Sequence, residues 1–326
     1  MKSRRWGTSA RYLFYFCSAM EKKLSIVIPV YNRGAVVGRT LQSIAAQTYR
    51  PLKVILVDNA SADDTAAVLR AWQAEVSAPD FEVEVLSEST PGAASARNAG
   101  LARVDTPWVM FFDSDDTMRP EHCARAMESA SPDTDILGWN VNIQLPRNRR
   151  IGRFVGANCH FDNLFHGGFA TLRWCARTET VRRVGAWNPQ VMIWDDIELG
   201  SRLIESGAAI KRLGGEPSVD VEFSEVSISN EPWLSRLCRI EAVLSIVEAT
   251  LPHAEKHYAS VKLALAAGEA MRESRDDSVR QKARRIYRKA LSGTHGLRHR
   301  LSVRLAFYLI RHVPRGVVPL LSLFMK

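Results

Sequence analysis

The most informative segment of this chain is Phe111-Phe112-Asp113-Ser114-Asp115-Asp116-Thr117. It continues the apolar run that starts at Pro107, and a short apolar run bounded by turn residues is typical of a buried strand. The three aspartates therefore follow the carboxyl end of a strand, where open α/β sheets bind ligands. Two acids one residue apart can share a divalent cation with a phosphate-bearing ligand. The alternative is a polar turn with solvated acids.

Upstream of this stretch, strands and helices alternate. The predicted strands are Leu24–Val30, Lys53–Asp58, Phe81–Leu86 and Trp108–Phe112; the predicted helices are Ala35–Ala46, Ser61–Glu75, with Ser61 as N-cap, and Ala93–Ala102. This order predicts βαβ units and an α/β fold with a mostly parallel sheet flanked by helices. Further on, Asp135–Gln144 is predicted as one longer strand and Asn158–Gly168 as a loop, whereas residues from about 231 onward have a helical pattern.

The loops that follow the first four strands are all polar, and parallel strands bring such loops to one edge of a sheet. They contain neither G-x-G-x-x-G nor G-x-x-x-x-G-K-[ST], so a dinucleotide fingerprint and a P-loop are both unsupported. The five cysteines are scattered without a Cys-x-x-Cys pair. This spacing argues against a disulfide framework or a zinc site and favours a reducing, cytoplasmic setting.

Charge is distributed unevenly along the 326 residues, which carry a net charge of +9. All 35 acidic residues lie between Glu21 and Asp277, whereas residues 278–326 hold 12 lysines and arginines and no acid. Residues 1–19 are also basic and acid-free, and are predicted to be an N-terminal extension or, alternatively, a weak signal peptide. Such segregation points to an anionic partner surface.

In the tail, leucines and aromatic residues alternate with arginines, as in a helix lying on anionic lipid. The alternative is that the apolar positions pack on the rest of the chain and the arginines are solvated. No apolar run reaches the roughly 18 residues that span a bilayer.

Five motifs together resemble family 2 glycosyltransferases of the GT-A fold. They are Ile26-Val27-Ile28-Pro29-Val30-Tyr31-Asn32, Val57-Asp58-Asn59-Ala60-Ser61-Ala62-Asp63, Ala96-Arg97-Asn98-Ala99-Gly100, Phe112-Asp113-Ser114-Asp115-Asp116 and Trp194-Asp195-Asp196. The resemblance covers about residues 24–215 and implies a nucleoside-diphosphate sugar donor, most simply a UDP-sugar, a divalent cation (Mn or Mg) and an inverting transfer to a glycan or lipid-linked acceptor. It divides the chain into a GT-A catalytic domain, residues 20–230, and a helical basic region, residues 231–326.

The resemblance also implies roles for individual residues. The residues implied to bind the donor are Pro29, Tyr31, Asp58, Arg97, Asp113 and Asp116. The residues implied to bind the metal are Asp115 and Asp113, and the implied catalytic base is Asp196. Two of these roles have alternatives: Arg97 either reaches the diphosphate or forms a salt bridge at the sheet edge, and the Asp195-Asp196 pair is either catalytic or simple negative charge at a helix start.

Two departures from the family pattern are visible. Asn59 stands where a second acid is common, and Arg173-Trp174 lacks the preceding glutamine of processive members, which favours addition of a single sugar. The expected setting is the cytoplasm, peripheral at the inner face of the cell membrane, in cell-surface polysaccharide synthesis. Two rivals are a nucleotidyltransferase, which would need a glycine-rich first loop, and a nucleic-acid-binding protein, which would leave the aspartates unexplained; no nucleic-acid partner is expected.

Overall fold

The structure is a computed structural model that describes residues 24–145, 148–154, 160–222, 231–313 and 317–325. The extension predicted for residues 1–19 lies outside these ranges. In chain order the strands are β1 (Leu24–Val30), β2 (Leu52–Asp58), β3 (Phe81–Ser87), β4 (Trp108–Phe111), β5 (Thr117–Met118), β6 (Ile136–Gly138), β7 (Val141–Leu145), β8 (Asn148–Gly152), β9 (Trp174–Arg177), β10 (Ile210–Arg212) and β11 (Val219–Val221). The helices are α1 (Val37–Ala45), α2 (Thr65–Val76), α3 (Ala93–Ala102), α4 (His122–Ser129), α5 (His160–His166), α6 (Thr178–Arg183), α7 (Asp195–Glu205), α8 (Trp233–Thr250), α9 (His257–Glu273), α10 (Asp277–Ser292), α11 (Leu297–His312) and α12 (Val317–Met325).

A seven-stranded sheet in the order β10-β6-β9-β4-β1-β2-β3 forms the centre of the molecule. Strands β1, β2, β3 and β4 run parallel, whereas β9 lies antiparallel between β4 and β6. Val30 pairs with Asp58, and Asp58 pairs with Ser87, so these strands end at the same level. The predicted α/β class with a mostly parallel sheet is confirmed, and the loops that carry the motifs share one edge.

Helices cover both faces of this sheet, which explains why its central strands are apolar throughout. Every residue of β2 is buried. On one face, Leu41 of α1 packs in a core with Ile26 and Val54, and on the other, Ala96 of α3 packs with Val27. Gly100 permits this second contact, because a Cβ there would collide with the side chain of Val27. Parallel strands with two covered faces need this continuous apolar character.

Two predictions from the middle of the chain are wrong. The single strand expected over Asp135–Gln144 is two strands, since β6 belongs to the central sheet and β7 to a small sheet ordered β5-β11-β7-β8. The loop expected over Asn158–Gly168 contains α5, whose Phe161 and Leu164 are buried against the C-terminal helices. In both places a tertiary contact overrides the local pattern.

The C-terminal helices pack around α9, which contacts α8, α10 and α11. A Cβ at Gly268 of α9 would collide with Ile310 of α11, so this glycine allows the two helices to lie close together. The core of this bundle also includes Phe161 of α5 and Ile197 of α7. The bundle therefore shares a core with the sheet region, and the boundary near residue 230 stays a prediction. Within the described ranges, no helix combines the length and apolar character needed to cross a bilayer.

Candidate active site

The loops after β1 and β2 are joined by hydrogen bonds at the carboxyl edge of the sheet. Asn32 donates its backbone N–H to Ser61 Oγ at 3.0 Å, and its Oδ1 accepts the N–H of Ala62 at 2.8 Å. Asn32 and Ala60 adopt left-handed φ angles of 50° and 57°, which asparagine tolerates well. The prediction of Ser61 as a helix N-cap is wrong: α2 begins at Thr65, and the Ser61 hydroxyl supports the neighbouring loop instead.

Asp58 and Tyr31 lie at the ends of adjacent strands. Asp58 is 7% exposed and its Oδ1 accepts the N–H of Ser61 at 3.3 Å, which leaves Oδ2 without a protein donor among the described residues. Tyr31 is 59% exposed, so its ring is available for stacking on a base. Pro29 lies one pair inside β1, opposite Val57. The geometry places the three residues together, and their roles in donor binding stay predictions.

Asn59, the departure noted in the sequence, connects two loops of the site. Its Nδ2 donates to the carbonyl oxygens of Glu88 at 3.0 Å and Thr90 at 2.8 Å, and its Oδ1 accepts the N–H of Gly92 at 2.8 Å. The side chain is 5% exposed. A carboxylate cannot donate, so an aspartate here would leave two carbonyls without their partner. Asparagine at this position thus has a structural explanation that the sequence pattern did not reveal.

Arg97 joins the two acidic motifs. From α3 it donates Nη2 to Asp113 Oδ1 at 3.0 Å and Nη1 to Asp195 Oδ2 at 2.7 Å. Its guanidinium lies 4.4 Å from the ring centroid of Trp187, and the residue is 5% exposed. Of the two alternatives for Arg97, the structure shows the salt bridge. A role toward a diphosphate stays a prediction.

The three aspartates that follow β4, Asp113, Asp115 and Asp116, have different surroundings. Burial raises the pKa of Asp113, and Arg97 opposes that shift. The Asp115 side chain is 31% exposed, with Oδ2 3.8 Å from Arg33 Nη2. Asp116 is 3% exposed and accepts the N–H of Glu222 at 2.8 Å; burial first, then repulsion from Asp113, raises its pKa to about 8. Asp116 thus ties the acidic turn to the backbone beyond β11, and its predicted donor contact stays a prediction.

The acidic turn has a donor set compatible with a divalent cation. Within the part of the chain that the structure describes, no three acidic, histidine or cysteine side chains converge as a complete cage. However, Asp113 Oδ2 is outside the ion pair with Arg97, and Asp115 is partly exposed in the same turn. Mg²⁺ is commonly bound by one or two carboxylates together with substrate phosphates. The turn therefore fits a cation that arrives with a phosphate-bearing ligand.

Asp195 and Asp196 open α7. The preceding residue, Trp194, has a left-handed φ of 56°, which turns the chain sharply into the helix. Asp195 is held by Arg97, whereas Asp196 has no ion pair within 4.0 Å among the described residues, and its Oδ1 accepts the N–H of Ile197 at 2.8 Å. Burial, followed by the neighbouring charge of Asp195, raises the pKa of Asp196 to about 6. A carboxyl group with a pKa near that value is suited to accept a proton at neutral pH.

One cavity of about 250 Å³ brings several of these groups together. It is lined by Arg97, Asp113, Thr171, Met192, Ile193, Trp194, Asp195, Asp196 and Arg236. The predicted residues Arg97, Asp113 and Asp196 therefore share one space. The others, Pro29, Tyr31, Asp58, Asp115 and Asp116, do not line this cavity but lie in the strand-end loops of the same edge. The sequence interpretation did not single out Met192, Ile193 or Arg236, because no local pattern marks them.

Arg173 and Trp174 are structural in this fold. Arg173 donates Nη1 to the carbonyl oxygens of His166 at 2.9 Å and Gly167 at 2.7 Å. Trp174 is 1% exposed, and its ring packs against Phe111 and Trp187. Both side chains therefore have structural partners within the fold.

A model described as glycosyl transferase family 2 matches residues 25–167. The chain carries a family 2 glycosyltransferase domain. The matched region contains the first four motifs, whereas Asp195 and Asp196 lie beyond it. The chain is 26% identical over 237 residues to the succinoglycan biosynthesis protein ExoO of Rhizobium meliloti, which covers 69% of this chain and 66% of ExoO. The matched stretches span between 32% and 66% of the first three curated relatives.

Two solved structures share the fold of this chain. The S. aureus protein TarS (residues 1–349), solved with UDP-GlcNAc, superimposes with a TM-score of 0.64 at 14% identity over 90% of this chain and 91% of that one. The mannosyltransferase PcManGT of Pyrobaculum calidifontis, solved with GDP-Man and Mn²⁺, gives 0.55 at 16% identity over 97% of this chain and 92% of that one. At these identities the likeness establishes the fold, which is of the GT-A type.

Proposed function

We propose that this protein is an inverting, metal-dependent glycosyltransferase that moves one sugar from a UDP-sugar to a hydroxyl of a glycan or lipid-linked acceptor. The main support for the proposal is that Arg97, Asp113 and Asp196 line one cavity at the carboxyl edge of the sheet. The name of ExoO supports a role in cell-surface polysaccharide synthesis. The ligands named for TarS and PcManGT support a nucleotide-sugar donor.

The reaction is a single displacement. The acceptor oxygen forms a bond to the anomeric carbon, its proton passes to Asp196, and the bond from that carbon to the diphosphate breaks with the electron pair leaving on phosphate. Inversion follows when the base lies on the side of the sugar opposite the leaving group. Asp113 and Asp115 would hold a divalent cation, which would supply positive charge to stabilise the departing diphosphate.

Arg97 holds the two acidic motifs at a fixed separation. Because it donates to Asp113 and to Asp195, it connects the turn after β4 with the start of α7, where the base lies. Asp195 is thereby ion-paired, while Asp196 has no ion-pair partner among the described residues. In this proposal Asp113 serves the donor side, Asp196 serves the acceptor side, and Arg97 positions both.

A panel of nucleotide sugars tests the donor side of the proposal. We expect UDP-GlcNAc or UDP-glucose to be hydrolysed slowly without acceptor in the presence of Mn²⁺ or Mg²⁺, and more slowly after chelation. Asp115→Ala should remove the metal-dependent part of this hydrolysis. Asp80→Ala is the matched control, since this exposed aspartate precedes β3 at the opposite edge of the sheet. Equal hydrolysis by wild type and Asp115→Ala would contradict the metal assignment, and hydrolysis of no nucleotide sugar would contradict the proposal.

We also propose that the protein lies peripherally on the inner face of the cell membrane through α11. The outward side of this helix exposes Leu297 (86%), Leu301 (47%) and Tyr308 (60%). Arg300 and Arg304 are exposed on the same helix, and residues 278–326 contain no acid. An amphipathic helix with arginines beside leucines and an aromatic ring suits an anionic lipid surface.

Substitutions on this surface are a better test than a deletion. Val279, Ala283 and Val303 belong to the helical core, so removal of residues 278–326 would unfold the bundle. We expect the double variant Arg300→Gln/Arg304→Gln to weaken binding to phosphatidylglycerol vesicles, measured by flotation, by roughly thirtyfold, since two basic groups near such a surface contribute about 1 kcal/mol each. Arg70→Gln/Arg183→Gln, on exposed helix faces of the sheet region, is the control. Equal flotation by both double variants would contradict membrane binding through α11.

A further inference from the structure

Arg236 differs from the other arginine that lines the cavity. Arg97 is neutralised by two carboxylates, whereas Arg236, on α8, has no hydrogen-bonded or ion-paired carboxylate among the residues that the structure describes. Its guanidinium lies 4.6 Å from the ring centroid of Trp233, and the side chain is partly buried. A half-buried cation at a cavity wall, already oriented by an aromatic ring, is prepared for an anionic ligand.

A second cation reaches the same region from the helical bundle. Lys262 of α9 is partly buried, with Nζ 4.7 Å from the ring centroid of Trp194, the cavity residue that precedes Asp195. Within the described ranges it has no carboxylate within 4.0 Å. Burial lowers the pKa of Lys262 to about 8, and the negative charge of Asp196 opposes that shift. Lys262 thus adds positive potential next to Trp194, which lines the same cavity as Arg236.

The acceptor side is where these cations lie. Asp196, the proposed base, must contact the hydroxyl that attacks, and Arg236 lines the same cavity of about 250 Å³. This volume is below the roughly 300–1,000 Å³ of typical ligand sites, so a group at Asp196 and a group at Arg236 are close enough to belong to one ligand. In the proposed function the donor diphosphate is bound at the acidic turn, of which Asp113 lines this cavity and Asp115 does not.

We infer that the acceptor carries a negatively charged group, a phosphate or a carboxylate, close to its attacking hydroxyl, and that Arg236 binds this group. The inference rests on the proposed function, because it assigns Asp196 to the acceptor. Arg236 thereby becomes a specificity-determining residue contributed by the helical region, outside the segment that matches the family model. A guanidinium can bind either anion through two parallel N–H donors. The phosphate and carboxylate sources are separated by the choice of probe.

The test measures binding to protein already saturated with UDP and Mn²⁺, so that the donor site is filled. The probes are glucose, glucose 1-phosphate and glucuronic acid, titrated calorimetrically. We expect at least one charged probe to bind roughly tenfold or more tightly than glucose, since hydrogen bonds to charged groups contribute about 1.5–3 kcal/mol. Arg236→Gln should abolish that preference, and Arg236→Lys should keep part of it.

Arg239→Gln is the matched control. It lies on the same helix but pairs with Glu231 at 3.3 Å and does not line the cavity, so it should bind the probes as wild type does. Wild-type protein that binds neither charged probe more tightly than glucose would overturn the inference. So would an Arg236→Gln variant that keeps the preference, or one that weakens UDP binding instead. Failure of UDP to bind even to wild type would contradict the proposed function itself, which makes the two failures distinguishable.

Discussion

At the sheet edge Arg97 lies between Asp113 and Asp195, whereas Arg236 and Lys262 of the helical region approach the same site without a carboxylate within ion-pair distance in the described residues. The sheet region thus balances its charges internally and fixes a geometry. The helical region leaves its site-facing cations available for a ligand. We therefore propose that the chemistry of transfer and the choice of acceptor depend on separate parts of the molecule, which variants in each part can test.

The largest effect is expected from the base in the sheet region. Asp196→Asn should lower kcat by about 10²–10⁴-fold, the usual contribution of general base catalysis, while the affinity for UDP stays within about twofold. Asparagine keeps the Oδ1 acceptor for the N–H of Ile197, so the start of α7 is preserved. Steady-state kinetics and UDP titration measure the two quantities. A variant that transfers sugar at the normal rate would show that another group accepts the proton.

The next effect contrasts a buried ion pair at the site with a more exposed one in the bundle. Arg97→Gln should lower the free energy of unfolding by about 3 kcal/mol, the low end for a broken buried pair, because Asp113 and Asp195 keep some exposure. Lys289→Gln removes a 53%-exposed partner of Glu241, which retains Lys282 at 2.6 Å, and should cost no more than about 1 kcal/mol. Urea unfolding measures both. Equal losses in the free energy of unfolding would show that the buried and the more exposed ion pair stabilise the protein to the same extent.

A smaller loss is expected from the loop that Asn59 organises. Asn59→Asp removes the donors to Glu88 and Thr90 and should destabilise the fold by about 1–3 kcal/mol, because two carbonyl groups lose their partner. Asn188→Asp is the matched control: Asn188 only accepts, from the N–H of Gln190 at 3.0 Å, and a carboxylate keeps that role. Thermal unfolding compares them. If both variants have the same melting temperature as the wild type, the hydrogen bonds of Asn59 do not stabilise the fold.

Local sequence patterns predicted the sheet well, since β1 and α3 have the predicted bounds and the acids follow β4 as expected. These signals are encoded within one element: apolar runs, helical periodicity and strand-end polarity. Arg236 and Lys262 could not be identified in this way, because their position depends on how α8 and α9 pack against α7 and α5. The sequence showed Asn59 only as a departure from the family pattern. Its structural role depends on the carbonyl groups of Glu88 and Thr90 in a second loop.

The smallest expected effect concerns the pH dependence of transfer, which depends on the pKa of the proposed base, Asp196. Burial and Asp195 raise the pKa of Asp196 to about 6, so the ionised, proton-accepting form is lost as the pH falls through that value. The transfer rate should therefore decline about tenfold per pH unit below pH 6 and be level above it.

Lys262 has a pKa of about 8 and is still charged at pH 6, where its positive charge favours ionised Asp196. Lys262→Met should thus move the acidic limb to higher pH, by less than about one unit at the effective dielectric of a protein. Lys262→Arg, which keeps the charge, should leave the limb in place. A limb that moves to lower pH in Lys262→Met, or that moves equally in both variants, would show that the helical region does not act on the base through charge.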